Sequence, residues 1–269
     1  MRGALVPDPA ELLTVYDSQL RGESEVLGAV SWDQSGPLWR AKFDDGGFVG
    51  YRDLDGYEGT ALDRLISETV EYFAEDPAMG SFEWKTRGHD RPDDLPDRLV
   101  ASGLEPEELE TVMIGEAASL SVDVELPEGV ALRRVDNLPD RAELLDAAAR
   151  MQAEVFGRGG SGAELLARVD SSEGRAEVWV AEAEGQVVSA GRLEMVSGTE
   201  FAGLWGGATL AEWRGRGIYR ALTSARARSA LARGARFLQS DCSPMSRPIL
   251  ERSGLVAVTT TTPYVWSRS

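Results

Sequence analysis

The chain of 269 residues holds one cysteine, Cys242, one histidine, His89, and two lysines, Lys42 and Lys85. A single cysteine excludes an intrachain disulfide and a thiolate zinc cluster, and it suits a reducing compartment. A single histidine excludes multi-histidine metal sites, and no metal is expected. A Ser-His-Asp triad has only one histidine on which to be built. Positive charge is scarce as well: 28 Lys and Arg stand against 45 Asp and Glu, a formal charge of −17. A duplex-binding face does not survive that balance unless the arginines cluster strongly, so nucleic acid is not the expected partner. An acidic exterior favours a cationic small molecule, or serves plain solubility.

Long apolar runs are missing too. The longest uncharged stretch, Gly254 to Ser267, includes Thr259 to Thr262 and Pro263. It is too short and too polar to span a bilayer, so no membrane partner is expected. The opening residues, Met1 to Asp8, carry no apolar segment of signal-peptide length, and a cytoplasmic location is expected. What is present is ordinary for a globular protein: 42% apolar and 27% charged residues in a length sufficient for one large or two small cores.

Apolar spacing predicts a helix near Pro9 to Gly22, strands over Pro37 to Phe43 and Gly47 to Asp53, and an amphipathic helix over Thr60 to Glu75. A strand at Ser81 to Lys85, a helix at Asp93 to Ser102 closed by Gly103, and a strand at Thr111 to Ile114 follow. Residues 1–120 are expected to form one domain. Helical periodicity then lapses over Ala117 to Gly129, and 121–129 is expected to be a linker. Residues 130–269 form the second expected domain. It contains a strand at Val130 to Val135, helices at Leu138 to Phe156 and Ala163 to Val169, and a hairpin turning at Glu184-Gly185. A strand at Phe201 to Leu210, a helix at Gly217 to Arg233, a strand at Phe237 to Ser240, a helix at Ser246 to Arg252 and a final strand or hairpin over Leu255 to Trp266 complete it. The halves end alike, each with strand, helix, Gly-Leu and strand (Gly103-Leu104 and Gly254-Leu255), which points to a duplicated unit.

The chemistry concentrates in Arg214-Gly215-Arg216-Gly217-Ile218-Tyr219-Arg220, between an apolar strand and a helix. A glycine-rich turn there lets unpaired backbone N–H groups face an anion, and the helix dipole adds about half a positive charge. Three arginines add full charges, which makes a pyrophosphate cradle. The alternative is a turn whose glycines only cap the helix and whose arginines are solvated. Neither the Walker pattern nor the Rossmann fingerprint occurs here.

Arg214-x-x-Gly217-x-Tyr219 resembles the Arg/Gln-x-x-Gly-x-Gly/Ala loop of the GCN5-related N-acetyltransferases. Ser243-x-x-Ser246-x-x-Ile249-Leu250-x-x-x-Gly254-Leu255 is similar to the family's next motif, and the element order from Val130 onward is similar as well. The resemblance implies an α/β fold of two tandem domains, each a twisted, mostly antiparallel sheet flanked by helices. It implies acetyl-CoA as cosubstrate and an amine acceptor. The pyrophosphate would be held by Arg214, Gly215, Arg216, Gly217, Ile218, Tyr219 and Arg220. The pantetheine arm would lie along Gly207, Ala208 and Thr209, where Gly206 and Gly207 suit a bulge. Ser243 and Ser246 would complete the cofactor site.

The chain departs from the family pattern in three places. Tyr219 replaces a small residue. Leu250 stands where many members carry a tyrosine acid, and Gly203 where many carry a glutamate base. Glu194, Glu200 and Asp241 are the substitute carboxylates, and Tyr264 is the substitute acid, each with a plain structural alternative. The N-terminal half carries Asp53-Leu54-Asp55-Gly56-Tyr57-Glu58-Gly59 where a loop would stand; its acidity would repel pyrophosphate, so this half reads as cofactor-free. The leading expectation is direct acetyl transfer to a primary amine of a small molecule or peptide. A non-catalytic acyl-CoA-binding or sensing protein is the alternative, and two active halves a third reading. Monomer and homodimer both stay open.

Overall fold

The computed structural model describes residues 8–44, 46–157 and 159–268. In chain order the elements are α1 (Pro9–Gln19), a 3-10 turn (Gly22–Val26), β1 (Ser31–Ser35), β2 (Leu38–Phe43), β3 (Gly46–Gly50), α2 (Gly59–Ala74), β4 (Ser81–Arg87), α3 (Leu95–Ala101), β5 (Glu105–Pro106), β6 (Glu110–Glu116) and α4 (Ala117–Leu120). Then come β7 (Ala131–Arg134), α5 (Arg141–Phe156), α6 (Gly162–Ser171), β8 (Ala176–Ala183), β9 (Gln186–Met195), β10 (Phe201–Thr209), a 3-10 turn (Ala211–Trp213), α7 (Ile218–Ala232), β11 (Phe237–Cys242), α8 (Arg247–Ser253) and β12 (Val256–Ser267).

Two compact units form, and neither is one continuous stretch of sequence. The first contains Ile114–Ser240 and Ile249–Val256; the second contains Asp8–Met113, Asp241–Pro248 and the described residues from 257 to 268. The segment 121–129 lies inside the first unit.

In the first unit the strands run in the order β6-β11-β10-β9-β8-β7. Antiparallel pairing dominates; β10 and β11 are parallel. The β8–β9 hairpin turns at Glu184 and Gly185, both at positive φ (52° and 79°), the two-residue geometry that suits the strand twist. Val178, Val180, Val188 and Ala190 from the sheet pack with Leu145, Ala148 and Met151 of α5 and Ile218 of α7. The helix expected from Leu138 begins at Arg141, because Pro139 and Asp140 belong to the turn before it. Ser161 opens α6 with a capping box closed by Glu164.

The second unit orders its strands β1-β2-β3-β4-β12, with β5 also on β12. Here β3 and β4 are the parallel pair, and α2 joins them. Leu62, Leu65, Ile66 and Phe73 of α2 pack on Leu38, Val49, Phe82 and Trp84, with Phe73 and Phe82 stacked at 4.4 Å. A side chain on Gly47 would collide with Phe73, which explains a glycine in mid-strand. Spacing missed β1, whose Ser-Trp-Asp-Gln-Ser lacks an alternating apolar face and is exposed over most of its length. Among the described residues no helix is long and apolar enough to cross a membrane.

Candidate active site

The first unit builds its site from a strand that parts from its neighbour. β10 pairs with β11 only through Phe201–Gly203 against Phe237–Gln239. On the other side, β10 follows β9 until its register shifts between Trp205 and Ala208. Gly206 sits in that bulge at φ 60°, a conformation that favours glycine, and its carbonyl accepts from Gln152 Nε2 at 2.6 Å. Beyond it, Ala208 and Thr209 resume pairing with Ala190 and Ser189. The backbone of the bulge therefore leaves the ladder where the two parallel strands have separated.

The chain then turns through Ala211–Trp213 into the arginine-glycine segment. Gly215 (φ 74°) and Gly217 (φ 82°) are both left-handed, and Gly217 is the N-cap of α7. No side chain caps that terminus and no acidic residue lies in its first turn, so the opening N–H groups of α7 are left to an outside acceptor. Arg214, Arg216 and Arg220 are exposed around it. Arg214 is anchored by donating its Nε–H to the Thr209 carbonyl at 3.0 Å, and the Arg216 guanidinium lies over the Trp213 ring at 4.7 Å. The sum is a basic, donor-rich turn at a helix N-terminus, an arrangement suited to a phosphate group.

Tyr219 does not enlarge the loop. It points back onto the bulge, where a Cβ on Gly207 would meet its hydroxyl at 2.7 Å. Its hydroxyl is also a hydrogen-bond partner of Arg226. Arg226 is 1% exposed and donates to the carbonyls of Leu222 and Arg192 and to Thr223 Oγ1. No carboxylate is paired with it among the described residues, and burial lowers its pKa from the ordinary arginine value. Sequence reading passed over this group. The helix also carries Arg220 and Arg228, and spacing does not single out Arg226; in the structure it lies opposite Gly191, where a Cβ would come within 2.6 Å of the Arg226 Nη1.

The candidate carboxylates and acid fall in different places. Glu194 on β9 lies opposite Gly203 and accepts from Arg192 Nε at 2.6 Å. Arg192 itself is pulled below the usual arginine pKa by burial, against the favourable charge of Glu194. Leu250 is buried. Asp241, Ser243, Ser246 and Tyr264 belong to the second compact unit. There Lys85 donates to Asp241 at 2.6 Å, the Ser243 and Ser246 hydroxyls lie 3.4 Å apart, and Tyr264 packs in the core with Trp84 and Leu99. Burial, then the charge of Asp97, raises the Tyr264 pKa. His89 is held in the second unit by Thr259 Oγ1 at 2.8 Å and Asp17 at 3.1 Å. Cys242 is buried. Among the described residues no cluster of His, Cys, Asp and Glu is arranged to hold a metal ion.

In the second unit, the counterpart of the loop is the stretch from Tyr51 to Glu58, again between the first strand of a parallel pair and the following helix. Beside it lies a network of buried charged and polar groups. Arg87 donates to Glu25 and, at 2.9 Å, to the Tyr16 hydroxyl; Tyr51 donates to Asp90 at 2.6 Å; Arg21 donates to Asp90 at 2.8 Å.

No protein-family model and no curated protein sequence matches this chain. Solved structures do. A GCN5-related N-acetyltransferase from Kribbella flavida superposes over 100% of this chain and 98% of its own at TM-score 0.67 and 13% identity. A tandem GNAT protein from the clavulanic acid biosynthesis pathway covers 86% of this chain and 78% of its own at 0.63 and 14% identity. A GCN5-related N-acetyltransferase from Sphaerobacter thermophilus covers 86% and 76% at 0.62 and 17% identity. The chain has the GCN5-related acetyltransferase fold in tandem form.

Proposed function

We propose that this protein is an acetyl-CoA-dependent N-acetyltransferase whose first compact unit holds the cofactor and whose acceptor is a primary amine of a small molecule or peptide. The observation that carries the reading is the uncapped N-terminus of α7, entered through two left-handed glycines and ringed by three exposed arginines. A Cβ at Gly217 or Gly215 is disfavoured by φ alone, which fits a turn kept open for a ligand. The backbone of Gly215 to Tyr219, with Arg214, Arg216 and Arg220, would hold the pyrophosphate; Gly207 to Thr209 would line the pantetheine arm. Acetyl-CoA supplies the activated acetyl group when bound.

The chain's part is binding, orientation and charge placement. N–H groups freed at the bulge are fixed donors for the oxygen of a bound thioester, stronger in a dry cleft than in water. Glu194, adjacent on β9, is the carboxylate of this unit proposed to take the proton from the attacking amine. With Leu250 apolar, the proton returned to the leaving thiolate comes from elsewhere, and bulk water serves. The cytoplasm and a cationic acceptor remain part of this proposal, on the acidity and single cysteine of the chain.

A second reading, a non-catalytic acyl-CoA-binding or sensing protein, is favoured by the buried Leu250 and by the engagement of Glu194 with Arg192. Calorimetric titration of acetyl-CoA into the wild type and into an Arg216→Glu/Gly217→Asp variant tests the cradle. Saturable binding in the wild type alone is expected. Absence of binding in a folded wild type removes both readings. Thiol release that saturates with an added amine then separates enzyme from sensor.

A further inference from the structure

The first unit holds a buried positive charge with no carboxylate beside it. Arg226 is 1% exposed, and among the described residues its guanidinium meets neutral oxygens: the carbonyls of Leu222 and Arg192 and the hydroxyls of Thr223 and Tyr219. Taking a charge out of water without a counter-ion is costly, and groups in that state concentrate at functional sites. Two glycines make room for the arrangement. A Cβ on Gly191 would come within 2.6 Å of Arg226 Nη1, and one on Gly207 within 2.7 Å of the Tyr219 hydroxyl. Tyr219 and Arg226 stand about two turns apart on α7. Thr223, between them, donates its hydroxyl to the Tyr219 carbonyl at 2.9 Å and accepts from Arg226 at 3.4 Å. Burial lowers the Arg226 pKa, and the Tyr219 oxygen, through its charge and its hydrogen bond, works against that.

The direction of that contact fixes what the phenol can do. A guanidinium only donates, so the Tyr219 oxygen accepts from it, and the phenol's own proton is left for another acceptor. Tyr219 is half-buried rather than enclosed, and the bulge beneath it is open to solvent at Gly206. A ligand lying along Gly207 to Thr209 therefore passes the hydroxyl that touches Gly207. Leu250, buried and apolar, has no proton to deliver there.

We propose that the Tyr219 hydroxyl is the catalytic acid of the first unit and that Arg226 is the residue that positions it. This role rests on the acetyl-transfer reading. The amine nitrogen bonds to the acetyl carbon, the carbon–sulfur bond breaks, and its electron pair goes to sulfur. The Tyr219 proton moves to that sulfur, and the phenolate left behind faces the Arg226 guanidinium, which gains the negative partner it otherwise lacks. Glu194 takes the amine proton and sheds it to water. The phenolate recovers a proton from bulk water, so water is the ultimate source and Tyr219 the point of delivery. Negative charge thus develops against a fixed positive one that is already in place. A tyrosine that only fills the space over Gly207 does none of this, and Tyr219→Phe separates the two roles because it keeps the ring and removes the hydroxyl.

The probes are coenzyme A and desulfo-coenzyme A, which has hydrogen in place of the thiol, titrated calorimetrically into the full chain at neutral pH and at about pH 9, where a free thiol is partly ionised. A bound thiolate accepts from the Tyr219 hydroxyl, and desulfo-coenzyme A offers nothing to it. The preference of the wild type for coenzyme A is therefore expected to grow about fivefold between the two conditions. Tyr219→Phe and Arg226→Met are expected to bind desulfo-coenzyme A as the wild type does, to keep its near-ultraviolet circular dichroism, and to lose the pH-dependent preference. With an amine that the wild type accepts, Tyr219→Phe is expected to lower kcat about a hundredfold and to leave the KM for acetyl-CoA little changed. A wild type that binds coenzyme A without the pH-dependent preference, a Tyr219→Phe variant that keeps it, or a kcat in that variant close to the wild-type value overturns the proposal and leaves cofactor binding standing. A preference lost in Tyr219→Phe and kept in Arg226→Met overturns the part given to Arg226. A folded wild type that binds neither compound removes the proposal together with the acetyl-CoA reading.

Discussion

Gly217 enters α7 at φ 82°, and no side chain contact replaces what the backbone does there. An alanine at this position is expected to cost about 1–2 kcal/mol from left-handed strain, seen as a lowered melting temperature, together with weaker acetyl-CoA binding by calorimetry. Arg226 makes a different case. Its guanidinium is buried without a carboxylate, and burial disfavours its charged form. Arg226→Met keeps most of the volume and removes the charge, so it is expected to be neutral or mildly stabilising in urea melts. Arg226→Ala, which leaves a hole beside Gly191 and Tyr219, is expected to cost about 2 kcal/mol or more. A methionine variant as damaging as the alanine one would show that the charge itself is needed. At this scale the sequence displayed the two glycines openly, because only glycine suits such a turn. It concealed Arg226, because nothing in an alanine-rich helix says which arginine faces inward.

Helix ends show how much of each element is local. α6 begins with Ser161 accepting from the Glu164 N–H at 3.2 Å while Glu164 reaches back to the Ser161 N–H at 2.9 Å. Ser161→Ala is expected to destabilise by about 1 kcal/mol, measured by thermal melting, without effect on cofactor binding. α7 lacks any such cap, and that difference between two helices of one unit is legible in the sequence: Ser-x-x-Glu before one, Gly-Arg-Gly before the other. β1 was illegible for the opposite reason. Its exposed, polar residues gain their strand conformation from pairing Ser31–Ser35 with Leu38–Lys42 rather than from burial. The 117–120 helix was likewise hidden, being four residues long and set by tertiary packing of Ala117 and Leu120.

For the molecule as a whole, the path of the chain matters more than any one element. β12 pairs with β4 through Thr261–Ser267 against Arg87–Ser81, so the C-terminal strand completes the sheet of the second unit. A chain ended after Val256 is expected to lose the packing of Trp84 and Tyr264, and with it the near-ultraviolet dichroism and cooperative melting of that unit. A fragment of residues 8–120 alone is expected to fail for the same reason. The second unit also carries a buried ion pair, Lys85 to Asp241, with Asp241 only 3% exposed in its side chain. Lys85→Met is expected to cost about 3 kcal/mol or more, because it withdraws the ammonium from a buried carboxylate. Burial alone would depress the Lys85 pKa; the Asp241 charge outweighs it and holds the ammonium above its ordinary 10.5. Its stabilisation is therefore complete below that value and fades as the pH rises through the higher folded-state value. Urea melts on both sides of 10.5 are expected to show a smaller alkaline decline in Lys85→Met than in the wild type.

By itself the sequence determined the duplicated element order, the arginine-glycine turn before α7 and the acidity of its N-terminal counterpart, because periodicity, glycine placement and charge are local properties. Tertiary structure alone decided that the compact units interleave in sequence, that Asp241 and Tyr264 lie in a different unit from Glu194, and that Arg226 is buried against Gly191. Those facts depend on which strand pairs with which and on what a helix face packs against. Contacts between residues more than a hundred positions apart, such as Lys85 with Asp241, leave no trace in spacing.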